Sequence, residues 1–149
     1  MDASTQRHLN AINRNFYAQH ATAFAETRDH PWPGWDRAWQ HVDVKDPFRL
    51  LDMGCGAGRF ARFLAEQAGA ACIDYIGIDA SVALLERARG ESAGLASADF
   101  RCADWVEDTP EACLPDGAFD YVALLGVLHH VPGHAQRCAL LRTLSKRLA

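Results

Sequence analysis

Apolar and polar positions divide the chain into two unlike parts. From Ser4 to Thr27 the apolar residues Leu9, Ile12, Phe16, Ala23 and Phe24 recur at helical spacing. The spacing predicts a helix with one broad apolar face, capped by Ser4. The stretch "RDHPWPGW", Arg28 to Trp35, interrupts it, because its prolines and glycine predict a turn. "WDRAWQHV" then predicts a second short helix, ended by Asp46-Pro47.

Beyond that point short apolar runs alternate with helical periods. Strands are predicted at Arg49–Met53, Ile73–Ile78, Asp99–Cys102 and Phe119–Leu125, the last of them apolar throughout after Asp120. Helices are predicted at Arg59–Gly69, at Ser81–Gly90 with Ser81 or Asp79 as cap, and at Ala135–Leu148. In the last helix Cys138, Leu141, Leu144, Ser145 and Leu148 are expected to face the core. This alternation implies a parallel sheet covered on both faces, a doubly wound α/β domain over residues 49–149. Residues 1–48 are expected to be a helical cap segment within one domain overall.

Composition narrows the class. The 149 residues are 49% hydrophobic and 23% charged, which suits one globular domain with a real core. A net charge of -4 carries no basic excess announcing nucleic acid. No apolar run reaches membrane-spanning length, and the polar start "MDASTQRHLN" is unlike a signal peptide. The five cysteines, Cys55, Cys72, Cys102, Cys113 and Cys138, are scattered and never form a C-x-x-C pair. They point to a reducing, cytoplasmic setting, to no metal site, and to use as small buried apolar residues.

The chemistry concentrates in "RLLDMGCGAGRFARFL", Arg49 to Leu64. An acid and three alternate glycines stand where a strand gives way to a helix. In a doubly wound sheet that turn borders the ligand crevice. Gly54, Gly56 and Gly58 admit dihedrals closed to other residues and bring no side chain against a ligand. "GAGRFA" also fits the looser dinucleotide fingerprint, so the loop alone does not choose the cofactor. Further features bear on the choice. Asp79 ends the second strand, where a carboxylate accepts from ribose hydroxyls or caps a helix. Asp104-Trp105 follows the third strand, where an acid and an aromatic suit adenine, or a turn and a core. The strand in "FDYVALLGVLHHV" ends in Gly126 and a His pair.

In "LLDMGCGAG", "YIGIDAS", "CADW" and "FDYVALLGVLHHV", taken in that order, the sequence resembles the class I S-adenosylmethionine-dependent methyltransferases. The resemblance runs from Arg49 to the end. It implies a Rossmann-like sheet with S-adenosyl-L-methionine as cofactor. Asp52 and Gly54 would contact its methionine moiety, and Gly56 and Gly58, with Cys55 between the loop glycines, would line it. Asp79 would bind the ribose, Asp104 and Trp105 would hold adenine, and Ala80 would lie on the base's other face. Leu124, Leu125 and Gly126 would present backbone near the methionine amino group.

Upstream, "FYAQHATAFAETRDHPWPGW" is similar to the N-terminal region of the methyltransferases that esterify carboxymethyl groups on tRNA wobble uridines. On that similarity Tyr17 and Arg28 are candidate substrate residues. Arg28 would pair a substrate carboxylate through its planar fork. Trp32, beside two prolines, is a candidate aromatic cover, whereas Trp35 and Trp39 are expected to anchor the N-terminal helices. His130 is the candidate pocket histidine and, for a hydroxyl or amine acceptor, the first candidate for a general base. A carboxylate acceptor needs none. The expected partner is a small-molecule acceptor; tRNA is the alternative, disfavoured by the charge.

The chain departs from the family pattern at its end. The family's sheet continues beyond the helix at which this sequence stops, leaving about four strands in the order 3-2-1-4. The strand at Phe119–Leu125 would then be an edge with an interior strand's composition. A fragment of a longer protein is the expectation, and a homodimer through that edge is the second reading. Truncation also leaves open a cofactor-binding module without turnover.

Overall fold

Four parallel strands lie in the order β3-β2-β1-β4 in the computed structural model, which describes residues 2–27, 30–43, 47–68, 73–91, 95 and 97–149. β1 (Phe48–Met53) and β2 (Ile73–Asp79) form the centre, pairing from Phe48↔Ile73 to Met53↔Ile78. β3 (Ser97–Cys102) flanks β2, and β4 (Tyr121–Ala123) flanks β1. The expected strand order is therefore the observed one. Parallel strands need helical crossovers. Here α3 (Arg59–Ala68) joins β1 to β2, and α4 (Val82–Glu91) joins β2 to β3.

Alternation along β1 sends successive side chains to opposite faces. Phe48 and Leu50 join Ile73, Tyr75, Ala61, Leu64, Leu85 and Phe100 in one core layer. Leu51 and Met53 join Ile76, Ile78, Phe119, Leu140 and Leu144 in the other. α2 (Pro33–Trp39) closes the first layer through buried Trp35, with Trp39 packed against it. The second layer is closed by α6 (His134–Ser145). No described helix is long and apolar enough to cross a membrane.

Several local expectations change. α1 runs Ala3–Glu26, and Asp2 rather than Ser4 caps it, accepting the Thr5 N–H at 2.9 Å and the Thr5 hydroxyl at 2.8 Å. Its expected core face is not buried: Leu9, Ile12 and Phe16 are 37%, 51% and 50% exposed, and Ala23 is exposed too. The side chain of Phe24 lies outside those described. The face turned inward carries Asn10, Tyr17 and Ala21, because α1 meets the polar mouth of a cavity as well as the core.

α2 begins at Pro33, inside the predicted turn, because proline suits a first helical position, where no N–H is needed. It ends at Trp39, ahead of Asp46-Pro47. β4 is three residues long, not seven; among the described residues its one neighbouring strand is β1. On its other side the described contact is one parallel bridge, Phe119↔Leu148, with the Phe119 N–H on the Arg147 carbonyl at 2.7 Å.

In α6 the buried pair is Leu140 and Leu144, while Leu141 is 43% exposed and Leu148 lies beyond the helix, 48% exposed. Of the cysteines only Cys55 is buried among those described. Cys102 is exposed, Cys113 and Cys138 are half-buried, and Cys72 lies outside the described residues. The pattern did not reveal the short helix α5 (Pro110–Cys113) or the 3₁₀ turn Leu128–His130.

Candidate functional site: a cavity at the carboxyl ends of the strands

The loop after β1 is a sequence of positive-φ glycines: Gly54 at 79°, Gly56 at 54° and Gly58 at 73°. Each has its own reason. A Cβ on Gly54 would lie 2.5 Å from Val127 Cγ2, so the following loop after β4 packs directly on bare backbone. A Cβ on Gly58 would lie 3.1 Å from the Ala88 Cβ, so this glycine serves the packing of α4 and is absent from the cavity wall. A Cβ on Gly56 would meet nothing within 4 Å: it would project into open space.

That space is a cavity of about 950 Å³ at the carboxyl ends of the strands, within the size range of small-molecule sites. Asp52, Gly54, Cys55 and Gly56 line it from β1 and its loop, and Asp79 and Ala80 from the end of β2. Asp104 and Trp105 line it after β3, and Leu125, Gly126 and His130 after β4. Tyr17 and Trp32 complete the wall from the N-terminal segment. Arg28 lies outside the described residues. Leu124 packs against the second core layer rather than the cavity.

Three acids dominate the chemistry. Asp52 is 2% exposed and accepts the Tyr75 hydroxyl at 2.6 Å. Burial drives its carboxyl up to about 7, against the pull of the Tyr75 hydrogen bond and with a further push from Asp79. Asp79 spreads its carboxylate between two elements: Oδ2 accepts the Gly56 N–H at 2.9 Å, and Oδ1 the Ser81 N–H at 2.8 Å. Burial raises it as well, while those backbone donors hold it down. Ser81 Oγ also accepts the Leu84 N–H at 3.4 Å, so Asp79 and Ser81 share the start of α4. Each Asp79 oxygen keeps lone-pair capacity toward the cavity.

Asp104 is differently engaged. Its Oδ1 accepts the Val106 and Glu107 N–H groups at 3.1 and 3.2 Å, shaping a turn. Arg14 reaches Oδ2 at 3.0 Å, and the Asn10 amide sits 3.4 and 3.2 Å from the two oxygens. Trp105 is 7% exposed, belongs to the second core layer and also lines the cavity. Cys55 is buried in the loop, and burial, with a further push from Asp52 and Asp79, raises its thiol well above the usual range.

On the opposite wall the Tyr17 hydroxyl and His130 Nε2 are 2.9 Å apart, with their rings edge to face. The Asn13 amide donates to the His130 carbonyl at 3.2 Å. His129 is exposed. Trp35 is buried, whereas Trp32 is 60% exposed at the mouth. Arg59, at the start of α3, reaches the His30 carbonyl at 3.1 Å and lies over the Trp35 ring.

Asn10, Asn13, Arg14 and Arg59 were not anticipated on the cavity wall. A signal existed for three of them. Asn10, Asn13, Arg14 and Tyr17 stand at i, i+3, i+4 and i+7, a polar stripe with the same helical period as the apolar one.

The chain resembles several known proteins. Trans-aconitate 2-methyltransferase of Streptomyces avermitilis is 35% identical over 96 residues, covering 62% of this chain and 33% of that protein. A human protein named Probable tRNA methyltransferase 9B is 26% identical over 135 residues, covering 90% of this chain and 26% of its own. The chain thus spans about a third of the first relative and about a quarter of the second. Among solved structures, a SAM-dependent methyltransferase from Thiobacillus denitrificans in complex with S-adenosyl-L-homocysteine aligns with a TM-score of 0.63. It is 22% identical, over 91% of this chain and 51% of that one. Residues 51–149 match the family model described as a methyltransferase domain, and the chain belongs to that family.

Proposed function

We propose that this chain binds S-adenosyl-L-methionine in the cavity and serves methyl transfer to a small-molecule acceptor with an oxygen or nitrogen nucleophile, a carboxylate among them. The observation that carries the reading is the pairing of bare backbone with acids. Gly56 leaves open space beside it, and Asp52 and Asp79 stand at the two adjacent strand ends. The donor set fits that cofactor. Asp52 offers a carboxylate to an ammonium group, Asp79 keeps acceptor capacity for ribose hydroxyls, and Asp104 offers an acceptor to an exocyclic amine. Leu125 and Gly126 border the same space. The names of the relatives add support, since they are methyltransferases.

When bound, the cofactor supplies an electrophilic methyl group on a sulfonium, so the protein's work is alignment and exclusion of water. The cavity walls provide both. α1 meets Asp104 through Asn10 and Arg14, and Trp32 lines the cavity while 60% exposed. Tyr17 and His130 form the acceptor side. Their hydrogen bond fixes the imidazole, and His130 takes a proton from a hydroxyl or amine acceptor, whereas an ionised carboxylate requires no such step. Residues 1–48 act in this reading as a cap on the domain formed by 49–149.

A second reading, action on a tRNA wobble uridine, is favoured by one observation: the similarity to the human tRNA methyltransferase 9B protein extends over 90% of the chain. Labelled methyl transfer into a metabolite extract and into bulk tRNA separates the two. Calorimetric titration with S-adenosylhomocysteine and with NADH tests the cofactor. Uptake of NADH alone would overturn the reading.

A further inference from the structure

Asp104 is the acid at which the cap and the proposed cofactor meet. A carboxylate has about four lone-pair positions. Those of Asp104 are used by two backbone N–H groups, by the Arg14 guanidinium and by the Asn10 amide. The backbone donors belong to its own turn and stay in place. Arg14 and Asn10 come from α1, and Asn10 also donates to Glu107 Oε1 at 3.1 Å. Arg14 lies 4.0 Å from the same Glu107 oxygen. All four side chains are within one small cluster, and Asn10, Arg14 and Asp104 line the cavity.

We propose that α1 and the adenine amine of the cofactor compete for Asp104, so that Arg14 and Asn10 act as a latch that must release before the base is seated. This rests on the cofactor reading above and deepens it. The exocyclic amine needs an acceptor position on a carboxylate that already carries the cap. Releasing Arg14 is cheap, because its side chain is 47% exposed and regains water, and Glu107 remains as an alternative partner. Asn10 is 5% exposed, and on release it keeps Glu107 as acceptor. The latch therefore exchanges partners within one cluster without stranding a charge. Base recognition and opening of the cap become one event.

The test compares the wild type with Arg14→Ala for three probes by calorimetric titration: S-adenosylhomocysteine, adenosine, and purine riboside, which lacks the exocyclic amine. Arg14→Ala is expected to tighten adenosine and S-adenosylhomocysteine by about threefold or more and to leave purine riboside within about twofold, the scale of one partly exposed ion pair. Raising the ionic strength should likewise tighten adenosine on the wild type and not on Arg14→Ala. Equal or weaker adenosine binding by Arg14→Ala, or the same gain for purine riboside, would overturn the latch while leaving the cofactor reading intact. Failure of both proteins to bind S-adenosylhomocysteine would overturn the cofactor reading and the latch with it. Thermal melting of both proteins without ligand confirms that each is folded.

Discussion

The Tyr75 hydroxyl donates to Asp52 Oδ2 across 2.6 Å, from a fully buried ring to a carboxyl that is 2% exposed on the cavity wall. β1 and β2 pair so that Leu50 faces Tyr75 and Asp52 faces Gly77, which puts the acid two residues along from the phenol on the same face, while Cys55 and Phe100 fill the space beside Gly77. The bond satisfies one carboxylate oxygen but brings no counter-charge. Burial consequently lifts Asp52 to about 7, and it lifts the Tyr75 phenol well above its usual range.

A pH dependence follows, with a definite sign. Between the unfolded value of 3.8 and about 7, the folded state binds a proton that the unfolded chain has released. This group's contribution to stability is therefore full below about pH 4, is lost as pH rises from there to about 7, and is level above. Asp52→Asn has no proton to lose. It is expected to be more stable than the wild type at pH 8, by at most about 4 kcal/mol, with the difference shrinking toward pH 5. Denaturant titrations at the two pH values measure it. In the cofactor reading an ammonium group beside Asp52 favours its ionised form. S-adenosylhomocysteine binding by the wild type should then release a proton at pH 6.5, seen as a dependence of binding heat on buffer ionisation.

Gly54 and Gly56 share a positive φ but differ in surroundings. Gly54→Ala drives a methyl group into Val127 and is expected to cost about 2 kcal/mol or more of stability. Gly56→Ala adds only the strain of a left-handed residue, about 1 kcal/mol, because its Cβ enters open space. That space belongs to the cavity, so Gly56→Ala should weaken S-adenosylhomocysteine about tenfold while melting close to the wild type. Thermal melts and titrations together distinguish the two.

Asp79 joins the glycine loop to the start of α4 through the Gly56 and Ser81 N–H groups. Asp79→Ala should therefore do two things. It should cost about 1 kcal/mol or more of stability in the absence of ligand, and it should weaken S-adenosylhomocysteine at least tenfold, about 1.4 kcal/mol. Unchanged affinity would refute the ribose assignment, whatever the stability.

The buried face of α6 gives a test independent of any ligand. Leu140→Ala should cost about 2–4 kcal/mol, whereas Leu141→Ala, at the adjacent exposed position, should stay within about 0.5 kcal/mol. Chemical denaturation of the two variants reads the register directly.

The crossover helices and the glycine turn were legible in the chain because each rests on local constraints, whereas the strand order came with the resemblance to the methyltransferase family. Alternation of short apolar runs with helical periods encodes a covered parallel sheet. Likewise an acid at a strand end followed by alternate glycines encodes a turn with left-handed residues. Asp52, Asp79 and Asp104 were recognisable as candidates because each closes or follows a strand at the sheet's carboxyl edge. The inward stripe of α1 was overlooked because the apolar stripe beside it carries the stronger periodic signal.

The sequence by itself determined which segments extend, which coil, and where backbone without side chains must stand, since those depend on residues a few positions apart. Only the tertiary structure decided which face of α1 turns inward and which leucine of α6 is buried. It also decided that β4 stays short beside β1, and that Asp104 is held by a helix about ninety residues away. Those outcomes depend on the surface each element meets, and a helix whose two stripes share one period carries no local information about which of them will find a partner.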